Sequence, residues 1–119
     1  MSTGDFVDRR AHPREVVNAP ARLFWGPKLA HWADGVISDF SQGGAKVEVS
    51  SFYVLPRRLV LLHYRDDSAY EAILRWRRWD TAGLAFEARH DLTQPVDSWL
   101  SDVQAVWQSL APSLKPAHG

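Results

Sequence analysis

The sequence predicts a small all-β domain, a barrel or sandwich of antiparallel strands, followed by one carboxy-terminal helix. Three observations carry this reading. Short apolar stretches recur with turn-forming residues between them, one stretch alternates strictly between apolar and polar side chains, and near the carboxy terminus the apolar period lengthens to that of a helix. The length of 119 residues suits one domain, and a hydrophobic fraction of 45% is enough to fill its core.

The opening residues 1–8, "MSTGDFVD", are small and polar and are expected to form a flexible arm. The domain is expected over residues 9–111, with the barrel at about 15–90, the helix at about 94–110 and a fraying tail at 112–119. The strand candidates are "EVVNAPARLFW", "HWADGVISDF", "AKVEVSS", "RRLVLLHYR", "YEAILRWRRW" and "AGLAFEA". Gly26-Pro27, Gly43-Gly44, Pro56 and Asp66-Asp67 divide them at the spacing of consecutive antiparallel strands.

The clearest strand puts Ala45, Val47 and Val49 on one face and Lys46, Glu48 and Ser50 on the other. In "YEAILRWRRW" the same period sets Ala72, Leu74 and Trp76 against Ile73, Arg75 and Arg77, and the pattern does not say which set is inside. From Pro95 the period changes. Val96, Trp99, Leu100, Val103, Trp107 and Leu110 follow the spacing of an amphipathic helix, with Thr93 as its cap, Pro95 in its first turn and Pro112 as its end. This apolar stripe is expected to cover an open end or face of the sheet, in a monomer or weak dimer.

Charge and composition narrow the function. Lys plus Arg and Asp plus Glu both number 14, giving a formal net charge of +0 and a pI near 7.0. Coating long nucleic acid or a membrane by bulk electrostatics needs a basic excess, so any bound anion is expected to be small. Cysteine is absent, which removes disulfides and thiolate metal sites. The start lacks the apolar core of a signal peptide, and the longest aliphatic run, "LVLL" at Leu59 to Leu62, is too short to cross a bilayer. A cytoplasmic protein is the expectation. The histidines, His12, His31, His63, His90 and His118, are not at metal-ligand spacing, and no nucleophile motif is present, so neither a metal nor catalysis is expected.

Two stretches carry binding chemistry. "DRRAHPREVV" gathers Arg9, Arg10 and Arg14, and Pro13 biases His12 toward an extended conformation, which leaves the guanidinium forks free to swing onto a ligand. "DFSQGG" places Asp39 and Ser41 on one side of an extended segment, and Gly43-Gly44 permits positive φ and close backbone approach. Alone, the first reads as a solvated basic arm and the second as a turn.

Together they read R-x-x-x-R followed by D-x-S-x-x-G in a small all-β chain, which resembles the PilZ domain, a bacterial receptor family for cyclic di-GMP (c-di-GMP). Arg10 and Arg14 match the first motif, Asp39, Ser41 and Gly44 the second, and "AILRWRRWDTAGLAFE" looks like the family's last strand pair. The resemblance implies a six-stranded antiparallel β-barrel with one helix after the last strand. It also implies a nucleotide-binding protein of second-messenger signalling, whose output concerns motility, adhesion or polysaccharide secretion through a separate, unidentified protein partner. In some single-domain members a tryptophan followed two residues later by an arginine meets the guanine, and Trp76 and Arg78 stand at the matching places.

The chemistry of that ligand suits these side chains. Guanine O6 and N7, and phosphate oxygens, accept two hydrogen bonds from an arginine fork. The N1–H and N2–H₂ edge of guanine suits the carboxylate of Asp39, with the Ser41 hydroxyl beside it. Arg9 adds a donor that could reach a second ligand molecule. The alternatives are a PilZ-like protein-interaction scaffold that binds no nucleotide, and a single-stranded nucleic-acid binder using "RWRRW", against which the neutral pI weighs.

Overall fold

The computed structural model describes residues 15–114. It shows a closed six-stranded antiparallel barrel with one helix laid on its outside. The strands are β1 (Glu15–Trp25), β2 (His31–Phe40), β3 (Gly44–Glu48), β4 (Arg58–His63), β5 (Ser68–Arg78) and β6 (Thr81–Asp91). Their order around the barrel is β1-β2-β3-β6-β5-β4, and β1 closes the ring by pairing with β4. Of the two architectures open to the sequence, barrel and sandwich, the barrel forms.

The barrel interior is filled by alternate side chains, as the strand period requires. Leu23, Ile37, Val47 and Leu61 are fully buried there, and alanines at 19, 21, 33, 45, 72 and 82 let the strands curl tightly around them. Ala45, Val47 and Val49 face inward, so Lys46 and Glu48 face outward. β4 is buried along both faces, which explains its unbroken "LVLL": Leu59 and Leu61 enter the barrel, while Val60 and Leu62 point the other way into a second cluster.

That second cluster seats the helix, α1 (Ser101–Leu114), with the single 3-10 turn Ser98–Leu100 leading into it. Leu100, Val103 and Ala111 pack against Phe24, Val60, Leu62, Tyr64 and Ala69 on the outer wall of the barrel. The stripe thus covers a face of its own barrel. Full burial of a side chain such as Leu100 contributes roughly 1.5–3 kcal/mol, and the Trp107 indole adds a hydrogen bond, Nε1 to Asp67 Oδ1 at 3.0 Å.

Both ends of the helix differ from expectation. Thr93 does not cap it: its N–H and hydroxyl both donate to Asp91 Oδ1 (2.9 and 2.6 Å), and Gln104 Nε2 holds the carbonyls of Leu92 and Gln94. Residues 92–97 therefore cross to the helix as a pinned linker, and helical turns begin only at Ser98. Pro112 does not end the helix either. It lies inside the last turn, where the buried Ala111 and the half-buried Leu114 keep the chain on the barrel.

Candidate functional site

The DFSQGG segment, residues 39–44, joins β2 to β3, and two features fix its shape. The Ser41 N–H and Oγ both donate to Gly44 O (2.9 and 3.3 Å), and the Gly43 N–H donates to Ser41 Oγ (3.2 Å). Gly43 O in turn accepts from the Phe86 N–H at 3.0 Å. Ser41 is accordingly buried, 9% exposed, and its hydroxyl is engaged in holding the turn.

The double glycine acts through close approach. Among the described residues the only glycine with positive φ is Gly26 (83°), so the left-handed conformation allowed for Gly43-Gly44 is not used. A Cβ on Gly44 would stand 2.2 Å from the Leu84 carbonyl oxygen, so β3 can pair this tightly with β6 only if position 44 has no side chain.

Asp39 belongs to a row of side chains that runs across the outer barrel wall. Directly opposed residues in antiparallel strands share a face, and the register reads Val16–Asp39–Lys46–Gly83–Trp76 across β1, β2, β3, β6 and β5. Lys46 faces outward between Ala45 and Val47, so the whole row does. At about 4.8 Å per strand, Asp39 and Trp76 stand roughly 14 Å apart with Lys46 between them. Bulges lie just before both Asp39 (between Ile37 and Asp39) and Trp76 (between Leu74 and Trp76). A bulge adds a residue on one strand and re-aims the side chains beyond it, which is why Trp76 leaves the face shared by Ala72 and Leu74.

Trp76 consequently does not pack inside the barrel. It lies on the outer wall against Gly83, where an added Cβ would meet the indole Nε1 at 2.1 Å, and it remains 42% exposed. Arg78, two residues on, carries its guanidinium carbon 5.9 Å from the Trp76 ring centroid, within cation–π reach. Trp76 and Arg78 therefore share a face with Asp39.

Beneath this surface Phe40 turns inward and meets His63, Tyr70 and Phe86 at ring separations of 4.9, 5.7 and 5.7 Å. That aromatic anchor holds the end of β2. A groove of about 310 Å³ opens beside it, lined by Gln42, Tyr70, Phe86, Glu87, Ala88 and Arg89. Arg89 sits 3.6 Å from the carboxylate of Asp66, which also accepts from the Tyr70 hydroxyl. Burial and that carboxylate push the Tyr70 phenol well above its usual range.

Arg9, Arg10 and Arg14 lie outside the described residues. The backbone of Glu15 pairs with Phe40, however, so the chain enters the barrel beside the 39–44 segment. Lys46 is the residue that the motifs did not single out. Alternation set it on the face opposite Ala45 and Val47, but only the register of β2 on β3 sets it next to Asp39. Among the described residues no group of His, Asp and Glu converges as a metal site, and no helix is long and apolar enough to cross a membrane. In comparisons with protein-family models and with curated proteins, the chain matches none.

Proposed function

We propose that this protein is a cytoplasmic receptor for cyclic di-GMP, which lies along the outer row from Asp39 to Trp76. The observation that carries the reading is the juxtaposition of three things on one wall: the Asp39 carboxylate, an exposed indole backed by Gly83, and the entry point of the arginine-bearing leader beside Phe40.

Each group has a role in the ligand's own chemistry. Asp39 accepts from the guanine N1–H and N2–H₂ edge, Trp76 offers its open side for stacking, worth about 1–3 kcal/mol, and Arg78 beside it meets O6 and N7. Lys46, midway along the row, faces the phosphodiester. Arg10 and Arg14 close over the nucleotide from the leader, with Arg9 available to a second molecule. Free energy for a change in the leader comes only from the ligand's preference for the changed state. A separate protein then reads the changed surface, with motility, adhesion or polysaccharide secretion as the output.

The test is titration calorimetry with cyclic di-GMP. Each lost bidentate contact costs about 1–3 kcal/mol, so Asp39→Ala and Arg10→Ala should each weaken binding by about tenfold or more. Gln108→Ala, on the exposed side of α1, should leave it unchanged. Equal competition by plain GMP would remove the guanine-edge assignment.

A second reading is favoured by the Ser41 hydroxyl, which already donates to Gly44 O and accepts from the Gly43 N–H, and by the steric need for Gly44: both motif residues already serve the fold. On this reading the protein is a PilZ-like scaffold for protein interaction that binds no nucleotide. No heat from the folded parent across the titration would select it.

A further inference from the structure

The hairpin that carries Trp76 and Arg78 turns through Trp79 and Asp80, since Arg78 pairs with Thr81. Trp79 has φ 50° and is 82% exposed. The first position of such a two-residue turn favours glycine or asparagine when φ is positive, and a bulky side chain there is an outlier. Neither turn geometry nor core packing accounts for tryptophan at this place. A residue held in an unfavourable conformation without packing in return points to a role at the surface.

Trp79 has company. Phe52 and Val54, on the loop between β3 and β4, are 82% and 88% exposed. The loop is clamped to the hairpin: Asp80 O accepts from the Val49 N–H (2.9 Å), and Asp80 Oδ1 accepts from the Ser51 N–H (2.8 Å). Arg77 donates to the carbonyls of Val49, Ser50 and Tyr53 at 3.0, 2.7 and 3.1 Å. Phe52 comes directly after Ser51, and Trp79 directly before Asp80, so the apolar side chains stand on one fixed projection.

Arginines flank that projection. Arg57, Arg75 and Arg78 are exposed, and the Arg57 carbonyl accepts from the Leu74 N–H at 2.7 Å, which brings residue 57 to the bulge that holds Arg75. Two carboxylates stand beside them, Asp80 at the turn and Glu48 at the end of β3, against four arginines once Arg77 is counted. The local balance is cationic in a chain whose formal net charge is +0.

We propose that this end of the barrel docks on the surface of an anionic lipid bilayer, with Trp79, Phe52 and Val54 entering the headgroup boundary and Arg57 and Arg75 resting on lipid phosphates. Tryptophan favours that boundary, and basic side chains beside apolar ones strengthen attachment to anionic lipid. At 82–88% exposure these side chains stand out as knobs. A protein receptor for them must supply a matching cavity, whereas a fluid headgroup region adapts to any convex shape. Loop tips make the contact, and it does not depend on the nucleotide.

The experiment is cosedimentation of the full chain, without nucleotide, with vesicles of equimolar phosphatidylcholine and phosphatidylglycerol, and with phosphatidylcholine alone. The parent should pellet with the anionic vesicles only, and added salt should release it. Trp79→Gly should lower the binding constant by about tenfold, while its melting temperature stays at or above that of the parent because the strained φ is relieved. Arg57→Ser with Arg75→Ser should reduce binding and flatten its salt dependence. The proposal is overturned if the folded parent stays in the supernatant, or if Trp79→Gly pellets like the parent. A concentration-dependent dimer that Trp79→Gly abolishes, without vesicle binding, would give the patch to a second copy and overturn it equally.

Discussion

Arg77 shows how far a side chain's work can lie from what its neighbours in sequence indicate. In "RWRRW" it reads as one more exposed cation, yet its guanidinium donates to the carbonyls of Val49, Ser50, Tyr53 and Thr81. The loop from 49 to 57 has no strand partner of its own, so this fork does the work of a ladder. Hydrogen bonds from a charged donor contribute about 1.5–3 kcal/mol, and removal leaves part-buried carbonyls without that partner. Arg77→Ala should therefore lower stability by about 3 kcal/mol in denaturant unfolding. Arg77→Lys should recover only a fraction, because an ammonium lacks the planar fork. Nothing in the local pattern could reveal this role, since the partners in the loop lie 24 to 28 residues away. Asp39 and Trp76, by contrast, were legible as candidates from motif and residue type, but not as members of one row. Two bulges decide that, and bulges leave no reliable mark on an apolar–polar pattern.

At the scale of elements, local signals succeeded wherever packing agreed with them. The stretches "EVVNAPARLFW" and "HWADGVISDF" are β1 and β2 residue for residue, because Gly26, at positive φ, and Pro27, without an N–H, interrupt the ladder between them. The six strands and the turns between them were readable, whereas the two-faced burial of β4 depends on the second cluster that the helix completes. The helix was readable as a stripe, but its ends were misjudged where tertiary contacts overrode capping chemistry. Pro112 is the clearest case. Its ring removes an N–H that would otherwise close on the carbonyl of Gln108, yet Ala111 and Leu114 stay packed on the outer cluster. The burial on either side outweighs a defect in the final turn. Restoring the N–H should then stabilise: Pro112→Ala is expected to raise the unfolding free energy by about 1 kcal/mol, less than the ~3 kcal/mol typical of a helix interior. Thermal unfolding followed by circular dichroism would measure it. A fall in stability would mean that proline's restriction of the unfolded chain matters more than the missing bond.

On the scale of the whole molecule, two apolar clusters share the wall formed by β1 and β4, and His63 stands at the end of that wall. It pairs across to Ala21 and Ser68, meets the edge of Phe40, and is 7% exposed, with its Nδ1 buried and lacking a hydrogen-bond partner. Burial holds its pKa below the usual 6.5; Arg65 lowers it further, while Asp66 and Asp67 oppose the shift without cancelling it. The neutral imidazole is thus the form that the fold accepts. As pH falls through about 6.5, the unfolded chain takes up a proton here while the folded chain does not until a lower pH. Over that interval the unfolded state binds more protons, so stability declines with acidification and levels off below the folded pKa. Its contribution is complete above the unfolded value. Denaturant midpoints measured from about pH 8 down to about pH 5 should therefore fall more steeply for the parent than for His63→Leu, whatever offset the substitution brings. Because Phe40 touches this imidazole and also anchors the end of β2 that carries Asp39, the same acidification should loosen the 39–44 segment first. Amide exchange at Ser41 and Gly43 would report it ahead of global unfolding. Parallel slopes for parent and variant would mean that the buried ring gains its proton without disturbing the fold.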